Sequence, residues 1–339
     1  MENFPVEVIG IILSHLGSAR DIVIASLTCK KWKDAWHNYL HALSFNTRDW
    51  HIYGEVCSGH LEMFITCTLF QTRGLQCLTI LMDYDHVFNV TPVIAWVMST
   101  RDTLRQLRYN VRTWPDFNII DKCGRERLEV LSLARNPILR VDPRYHKFPC
   151  LKSLSLSSVS ISALDLSLLL SACPKLETFS IVSPDIAMSD LQASIELNSS
   201  SLKEFFIESF VVDRFILEAE SLENLHLTDC TFEVFELIGK GTLKVLKIDD
   251  VSVIHLNIGD STENLEILDV FHSTILWPEF YNMISKASNL KKLRLWSVVF
   301  DNEDEGLSSL MNVVVLELGW TTISDLFSVW VAGLLEGCP

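Results

Sequence analysis

The chain has 339 residues, and because 48% of them are hydrophobic it can form the core of one large or two ordinary domains. Its formal net charge is −15, and residues 1–45 add nothing to that charge because their four basic and four acidic residues cancel. The acidic remainder would repel a phosphate backbone, which excludes nucleic acid as an expected partner.

The first residues predict neither export nor membrane insertion. Glu2 and Glu7 stand where a secretory signal would carry basic residues. The longest apolar runs, such as LFSVWVAGLL, are far shorter than the roughly 20 residues that a membrane-spanning helix needs. We therefore expect the protein in the cytoplasm, the nucleus or both, with its nine cysteines reduced and mostly buried.

Residues 4–40 predict three short helices. In FPVEVIGIILSHL the apolar residues recur at steps of three and four, which places them on one helix face: Val6, Ile9, Ile12, Leu13 and Leu16. Pro5 suits the first turn of this helix, and Asp21 is a candidate start of the second. A third helix carries Trp32 and Trp36 on one face. So small a unit cannot bury all this apolar surface, and the surplus predicts a protein interface.

The remainder of the chain repeats the pattern L-x-x-L-x-L at intervals of 20–29 residues, with occasional aliphatic or aromatic replacements. Eleven copies begin at Leu75, Leu104, Leu128, Leu151, Leu176, Leu202, Leu222, Leu243, Leu265, Leu290 and Val313. A twelfth, LHALSF at Leu40, lies 35 residues before the first. The periodicity predicts a solenoid in which each copy forms a short strand on a concave face and then returns along the convex side.

The return segments are of two kinds. ISALDLSLLLSACPKL, WPEFYNMISKASNL and ISDLFSVWVAGLLEGCP have helical spacing and predict convex helices. Between Leu202 and Leu265 the returns, such as FEVFELIGKG, alternate like strands and predict extended chain. The final LLEGCP is similar to LLSACP at Leu169, which precedes another strand, so we expect the last coil to be truncated or uncapped.

The N-terminal residues resemble the F-box motif. The matching order is Phe4-Pro5-x-Glu7-Val8-Ile9-x-x-Ile12-Leu13-x-x-Leu16, followed by Asp21, Ala25-Ser26, Cys29-Lys30 and Trp32. Phe4 replaces the usual leading leucine and Thr28 the usual valine. The repeats resemble leucine-rich repeats, although only Asn136 and Cys230 occupy the position where that family carries Asn or Cys, which predicts irregular coils.

The whole chain is thus similar to the F-box/leucine-rich-repeat proteins, particularly the irregular plant type. The resemblance implies an α/β solenoid: a three-helix F-box at residues 1–43, then a leucine-rich-repeat horseshoe of about 11–12 irregular repeats at residues 44–339. It also implies a function as the substrate-recognition subunit of a Skp–cullin–F-box (SCF) ubiquitin ligase. The F-box would dock on a Skp-type adaptor, which leads to the cullin–RING ligase, and the repeats would hold the protein substrate.

The adaptor-facing residues implied by the motif are Phe4, Pro5, Ile9, Ile12, Leu13, Leu16, Leu27, Cys29 and Trp32. Lys30, Lys31 and Lys33 would form a basic rim facing an acidic adaptor. The alternative is that the three helices cap the first repeat, and Trp32 in particular could serve the core of the unit as well as the interface.

The substrate-facing residues follow from the alternation of side chains along each repeat strand. On the predicted concave side of the later repeats these are Glu204, Phe206, Glu208, His226, Lys247, Asp249, Asp269, Phe271, Arg294, Trp296 and Glu317. Aromatic and arginine anchors suit protein binding. The alternative is an inert scaffold in which irregular repeats bury Phe206, Phe271 and Trp296.

No catalytic, cofactor-binding or metal-binding motif stands out, so we expect a receptor subunit rather than an enzyme, with no cofactor. Cys29 is expected to be a buried, inert thiol. Two rival functions remain: a ligand-sensing receptor with a small molecule in the concave groove, and a repeat scaffold outside any ligase. Sensing would need long loops above the strands, and most repeat intervals leave little chain for them.

Overall fold

The computed structural model describes residues 4–48, 56–123, 126–142, 144, 147–187, 194–301, 313–319 and 332. The chain divides into two compact units, residues 1–161 and 162–339. The expected boundary between residues 43 and 44 remains a prediction. Within the described ranges, no helix has the length and apolar character needed to cross a membrane.

In the described part of the first unit the helices are α1 Val6–Leu16, α2 Ala19–Ser26, α3 Lys30–Tyr39, α4 Ser58–Phe70 and α5 Val90–Thr100. A 3-10 turn spans Ile119–Asp121. The strands are β1 Ala42–Asn46, β2 Cys77–Leu81, β3 Val87–Asn89, β4 Gln106–Tyr109, β5 Arg112–Trp114, β6 Val130–Ala134, β7 Pro137–Ile138, β8 Ser153–Ser157 and, at the boundary, β9 Ser160–Ser162.

The main sheet of this unit is parallel, in the order β1-β2-β4-β6-β8. Each of its strands begins two residues after the first leucine of a repeat motif. Buried residues alternate with half-buried ones in β1, β2, β6 and β8, and with exposed ones in β4. The buried leucines pack beneath the sheet, because a single coil cannot cover them alone. β1 shows that LHALSF is a true twelfth repeat.

The three N-terminal helices pack closely on one another. α1 buries Ile9 and Leu13, α2 buries Ile22, and α3 buries Trp36, whose indole N–H donates a 2.9 Å hydrogen bond to Thr72 Oγ1. Both helix starts differ slightly from expectation. Pro5 is the N-cap rather than a residue of the first turn, and α2 begins two residues before Asp21.

Gly10 lies where α1 approaches α3 closely. A Cβ at this position would lie 2.9 Å from the carbonyl oxygen of Tyr39 and would also collide with the Tyr39 Cβ. Neither atom is the end of a flexible side chain, so the two helices would have to separate. Glycine is therefore needed at Gly10 for its small size.

Gly10→Ala is expected to reduce the free energy of unfolding by about 1–3 kcal/mol through overpacking. Gly59→Ala is the matched control, since a Cβ at Gly59 in α4 meets open space, and there alanine should be neutral or stabilising. Urea unfolding followed by circular dichroism compares the two variants. Equal midpoints would show that Gly10 does not limit this packing.

The second unit contains helices α6 Ala163–Ser171 and α7 Trp277–Lys286 and a 3-10 turn at Gly259–Thr262. Its strands are β10 Thr178–Val182, β11 Asp185–Ala187, β12 Ser194–Asn198, β13 Glu204–Glu218, β14 Asn224–Ile238, β15 Val245–Asn257, β16 Ile267–Phe271, β17 Thr274–Leu276, β18 Lys292–Trp296, β19 Val299–Asp301 and β20 Val315–Leu318. The main parallel order is β10-β13-β14-β15-β16-β18-β20.

Three strands of the second unit are long because each continues through a bend into the return segment of its repeat. β13, β14 and β15 each contain one residue with positive φ, respectively Ser209 (51°), Asp229 (51°) and Asp250 (54°). These residues lie seven positions after the first leucine of their motifs, between the first strand segment and its return. The same position is left-handed in neighbouring repeats, for example at His272 (47°). A regular left-handed corner thus ends each of these strand segments.

The prediction of extended returns after Leu202 is confirmed, as are the helical returns α6 and α7. The extended region begins earlier than expected, because β12 already pairs with the return half of β13. The expected final helix after Thr322 lies outside the described residues except for Ala332. In the first unit, the return after Leu128 contains no helix in its described part.

Phenylalanines fill the interior of the second unit. Phe215 is buried, and its ring lies 5.6 Å from that of Phe235, 5.8 Å from Phe210 and 6.0 Å from both Phe205 and Phe232. Adjacent coils contribute these rings, so the aromatic core ties one repeat to the next.

An alternating charge row runs along one edge of the second unit. The residue after the first leucine is acidic in one repeat and basic in the next, which gives three ion pairs: Lys203–Glu177 at 3.2 Å, Lys244–Glu223 at 2.9 Å and Lys291–Glu266 at 2.9 Å. The bond to Glu223 raises the pKa of Lys244, and the bond to Lys291 lowers the pKa of Glu266. The pairs are exposed, so each contributes little to the stability of the fold.

All eight cysteines in the described part of the chain are free thiols, but the expectation that most are buried is wrong. Only Cys123, Cys173 and Cys230 are buried. Burial raises the pKa of Cys173 and of Cys230 to about 12, which keeps both thiols protonated. Cys29 is exposed, contrary to expectation, because it precedes α3 at the surface.

Candidate functional site: two exposed surfaces

The three N-terminal helices expose large apolar side chains to solvent. Six of these side chains have exposed fractions between 39% and 79%: Phe4, Ile11, Ile12, Leu16, Ile24 and Leu27. Ile12 and Leu16 are four residues apart and share one face of α1. Ile24 and Leu27 are three residues apart at the end of α2. This apolar surface, called here the F-box surface, is what a partner protein would cover.

The structure separates the residues expected to face an adaptor. Phe4, Pro5, Ile12, Leu16, Leu27 and Cys29 are exposed, and Trp32 is half-buried. Ile9 and Leu13 are buried, because their side of α1 packs inside the three-helix unit. In this structure those two residues support the F-box surface from within and do not form part of it.

Ile11 and Ile24 are exposed residues that the motif did not indicate. α1 is apolar on more than one side, so residue spacing alone could not show which side meets α3. The sequence did signal this exposure through its excess of apolar residues. Ile11 lies outside the stripe of α1 that periodicity assigns to a single buried face.

α3 begins with positive charge. Lys30 and Lys31 occupy its first two positions and Lys33 follows within the first turn, which contains no acidic residue. A helix N-terminus carries partial positive charge, so lysines there reduce helix stability by a few tenths of a kcal/mol each. Local stability therefore does not explain this cluster, whereas an acidic partner would.

The second candidate surface is the open face of the second unit, meaning the side of its main sheet opposite the buried leucines. Strand register aligns the expected residues in rows. One row is Phe206, His226, Lys247, Asp269, Arg294 and Glu317, and the next is Glu208, Thr228, Asp249, Phe271 and Trp296. Glu204 lies in a third row with Asn224 and Lys292.

Asp269 differs from its neighbours on this face because it is completely buried. Arg294 on the adjacent strand binds its carboxylate with both Nε and Nη2, and this bond raises the pKa of Arg294. The guanidinium also lies over the Phe271 ring, 5.5 Å from its centroid. Asp269 was expected to contact substrate, but its carboxylate is occupied and shielded. It positions Arg294 instead.

A groove of about 460 Å³ lies along these rows. Phe206 and His226 form part of its wall, with their rings edge to face at 6.4 Å. Burial and the neighbouring Lys247 lower the pKa of His226, which favours the neutral form of its imidazole. Phe206 and Phe271 are half-buried and Trp296 is exposed, so none of these aromatic residues is lost in the core.

Lys292 and Asn224 also line the groove but were not among the expected residues. The signal was present in the sequence, because both stand at the first strand position of their repeats, as Glu204 does. In the described ranges, no group of three His, Cys, Asp or Glu side chains is arranged to hold a metal ion.

Comparison with known families agrees with this architecture. A family model described as F-box-like matches residues 1–42, and a model described as "FBD-associated F-box protein At5g56370, LRR repeats" matches residues 98–262. Neither describes a catalytic domain.

Two plant proteins are similar along most of the chain. The Arabidopsis thaliana F-box/LRR-repeat protein At1g67190 is 54% identical over 372 aligned residues, which cover all of this chain and 89% of that protein. The Arabidopsis thaliana F-box protein At1g10780 is 20% identical over 302 residues, covering 86% and 69% respectively. The sequence identity and coverage of the first of these relatives, together with the fold, show that the chain belongs to the family of F-box/leucine-rich-repeat proteins.

Proposed function

We propose that this protein is the substrate-recognition subunit of an SCF ubiquitin ligase. Its F-box surface docks on a Skp-type adaptor and through it joins a cullin–RING ligase, while the open face of the repeats binds the protein to be ubiquitinated. The protein performs no bond chemistry itself. It raises the local concentration of substrate near the ubiquitin-carrying enzyme. The proposal places it in the cytoplasm, the nucleus or both.

The observation that carries the proposal is the apolar F-box surface. Phe4, Ile12, Leu16 and Leu27 are both exposed in the structure and members of the motif that binds adaptors in the family. Apolar side chains of this size, held on short helices, are typical interface anchors. The lysines at the start of α3 add a rim that would speed association with an acidic adaptor.

Ile12→Asp/Leu27→Asp is expected to weaken adaptor binding at least ~100-fold, because a carboxylate at a dry interface costs several kcal/mol. Both residues are exposed, so the helices should still fold, which substitution of the buried Leu13 would not allow. Isothermal titration calorimetry with a purified Skp-type adaptor measures the affinity, and circular dichroism confirms folding.

Ile254→Asp is the matched control, since Ile254 is a comparably exposed isoleucine in the second unit. Its affinity for the adaptor should equal that of the unmodified chain. Absence of adaptor binding by the unmodified chain, or equal losses in both variants, would reject adaptor docking through the F-box surface. The protein would then be a repeat scaffold whose N-terminal helices serve another purpose.

A further inference from the structure

The groove on the open face has a charge opposite in sign to that of the whole chain. Its walls carry three cations, Lys247, Lys292 and Arg294, against two anions, Glu204 and Asp269, in a protein of net charge −15. Asp269 and Arg294 neutralise each other, which leaves Lys247 and Lys292 against Glu204 in the groove wall. A local excess of positive charge in an acidic protein favours an anionic occupant.

Lys247 is the cation in this groove without a carboxylate partner among the described residues. Lys292 pairs with Glu317 at 3.8 Å, and Arg294 with Asp269. The lysines along the edge row are matched one to one with glutamates. Lys247 is half-buried and flanked in its row by His226 and Asp269. An ammonium group held in this position is available to an incoming carboxylate.

The other end of the groove is aromatic. Phe206 lies two strands from Lys247 in the same row, with His226 between them. Neighbouring strands are about 4.8 Å apart, so the two side chains stand roughly 10 Å apart across the sheet. An extended peptide crossing the strands advances about 3.3 Å per residue and turns every second side chain to the same face, so residues two positions apart, about 6.6 Å along the backbone, can reach across this distance with their side chains.

We propose that the groove binds an extended protein segment in which an aspartate or glutamate stands two residues from an aromatic residue. The carboxylate pairs with Lys247, and the aromatic ring packs against Phe206 and His226. This inference rests on the proposed function, because it names the class of substrate that the receptor would bring to the ligase. Arg294, fixed by Asp269 and Phe271, lines the groove beyond Lys247.

The test uses the full chain and four fluorescent peptides measured by anisotropy. The peptides share a Gly/Ser frame with one phenylalanine, and the residue two positions later is Glu, Gln, Lys or phosphoserine. The Glu peptide should bind about 10-fold tighter than the Gln peptide, and the Lys peptide should not bind. Tighter binding of phosphoserine than of Glu would overturn the assignment to a carboxylate. Equal binding of the Gln peptide, or no binding of any peptide, would overturn the proposal.

Lys247→Glu is expected to reduce affinity for the Glu peptide at least ~10-fold and to improve binding of the Lys peptide. Lys240→Glu is the matched control, because it changes the net charge equally at an exposed lysine outside the groove. Equal loss in both variants would show a general charge effect and reject the assigned role of Lys247. Both variants should bind the adaptor normally, so failure here is distinguishable from failure of adaptor docking.

Discussion

Phe215→Ala is expected to lower the free energy of unfolding by about 3–5 kcal/mol, the usual range for removing a fully buried phenylalanine. Phe215 is in contact distance of four other phenylalanine rings, two from its own strand β13 and two from the next strand, β14: Phe205, Phe210, Phe232 and Phe235. Their close packing prevents collapse into the space left by the ring. Because repeats are stabilised by their neighbours, the loss should extend to the adjoining coils.

Guanidinium-induced unfolding followed by circular dichroism measures the change. Val211→Ala is the control: Val211 lies on the same strand but is 69% exposed, so its truncation should alter the free energy by less than about 0.5 kcal/mol. A loss for Phe215→Ala no larger than the control's would mean that the aromatic rings do not hold the coils together.

Asp269→Ala is expected to destabilise the protein by about 3 kcal/mol, because it leaves the Arg294 guanidinium partly buried without its bidentate partner. The value is at the lower end for buried ion pairs, since about a third of the Arg294 side chain reaches solvent.

The double variant Asp269→Leu/Arg294→Met tests whether the ion pair itself stabilises the fold. Replacing both charges with apolar groups removes the unpaired cation, so the double variant should recover more than half of the stability lost in Asp269→Ala. Thermal and urea unfolding of the two variants give the comparison. If the double variant is less stable than Asp269→Ala, the ion pair stabilises the fold by more than the neutralisation of its two buried charges.

The repeat pattern predicts the strands of this fold closely. Each main-sheet strand begins two residues after the first position of a motif, from Leu40 to Val313. The pattern succeeds because strand alternation is local: an apolar residue at every second position can satisfy only one side of a sheet. Extended returns between Leu202 and Leu265 follow from the same alternation and from the shorter repeats there.

The corners were not predicted. Ser209, Asp229 and Asp250 adopt positive φ although none is a glycine. Serine is not a strong signal of left-handed backbone, and aspartate, although enriched there, adopts other conformations far more often. The conformation is imposed because the strands before and after the corner are each held by hydrogen bonds to neighbouring coils. A constraint that involves three coils cannot be read from one of them.

The F-box surface shows the same division between local and tertiary information. The sequence by itself determined the helices, the apolar surplus and the family, because spacing and motif order are properties of one short segment. Only the tertiary structure decided that Ile9 and Leu13 are inside while Ile11 and Ile24 are outside. That choice follows from the close approach of α1 to α3 at Gly10, which turns one side of an apolar helix inward.

On the open face, the sequence placed eleven side chains on one side of the sheet, since alternation determines sidedness. The tertiary structure decided which of them are available. Asp269 is buried because Arg294, which stands 25 residues later in the chain, lies beside it in register and binds its carboxylate. Lys247 has no such partner among the described residues. Pairing across coils depends on neighbours distant in sequence, and for that reason only the folded chain distinguishes a neutralised charge from an available one.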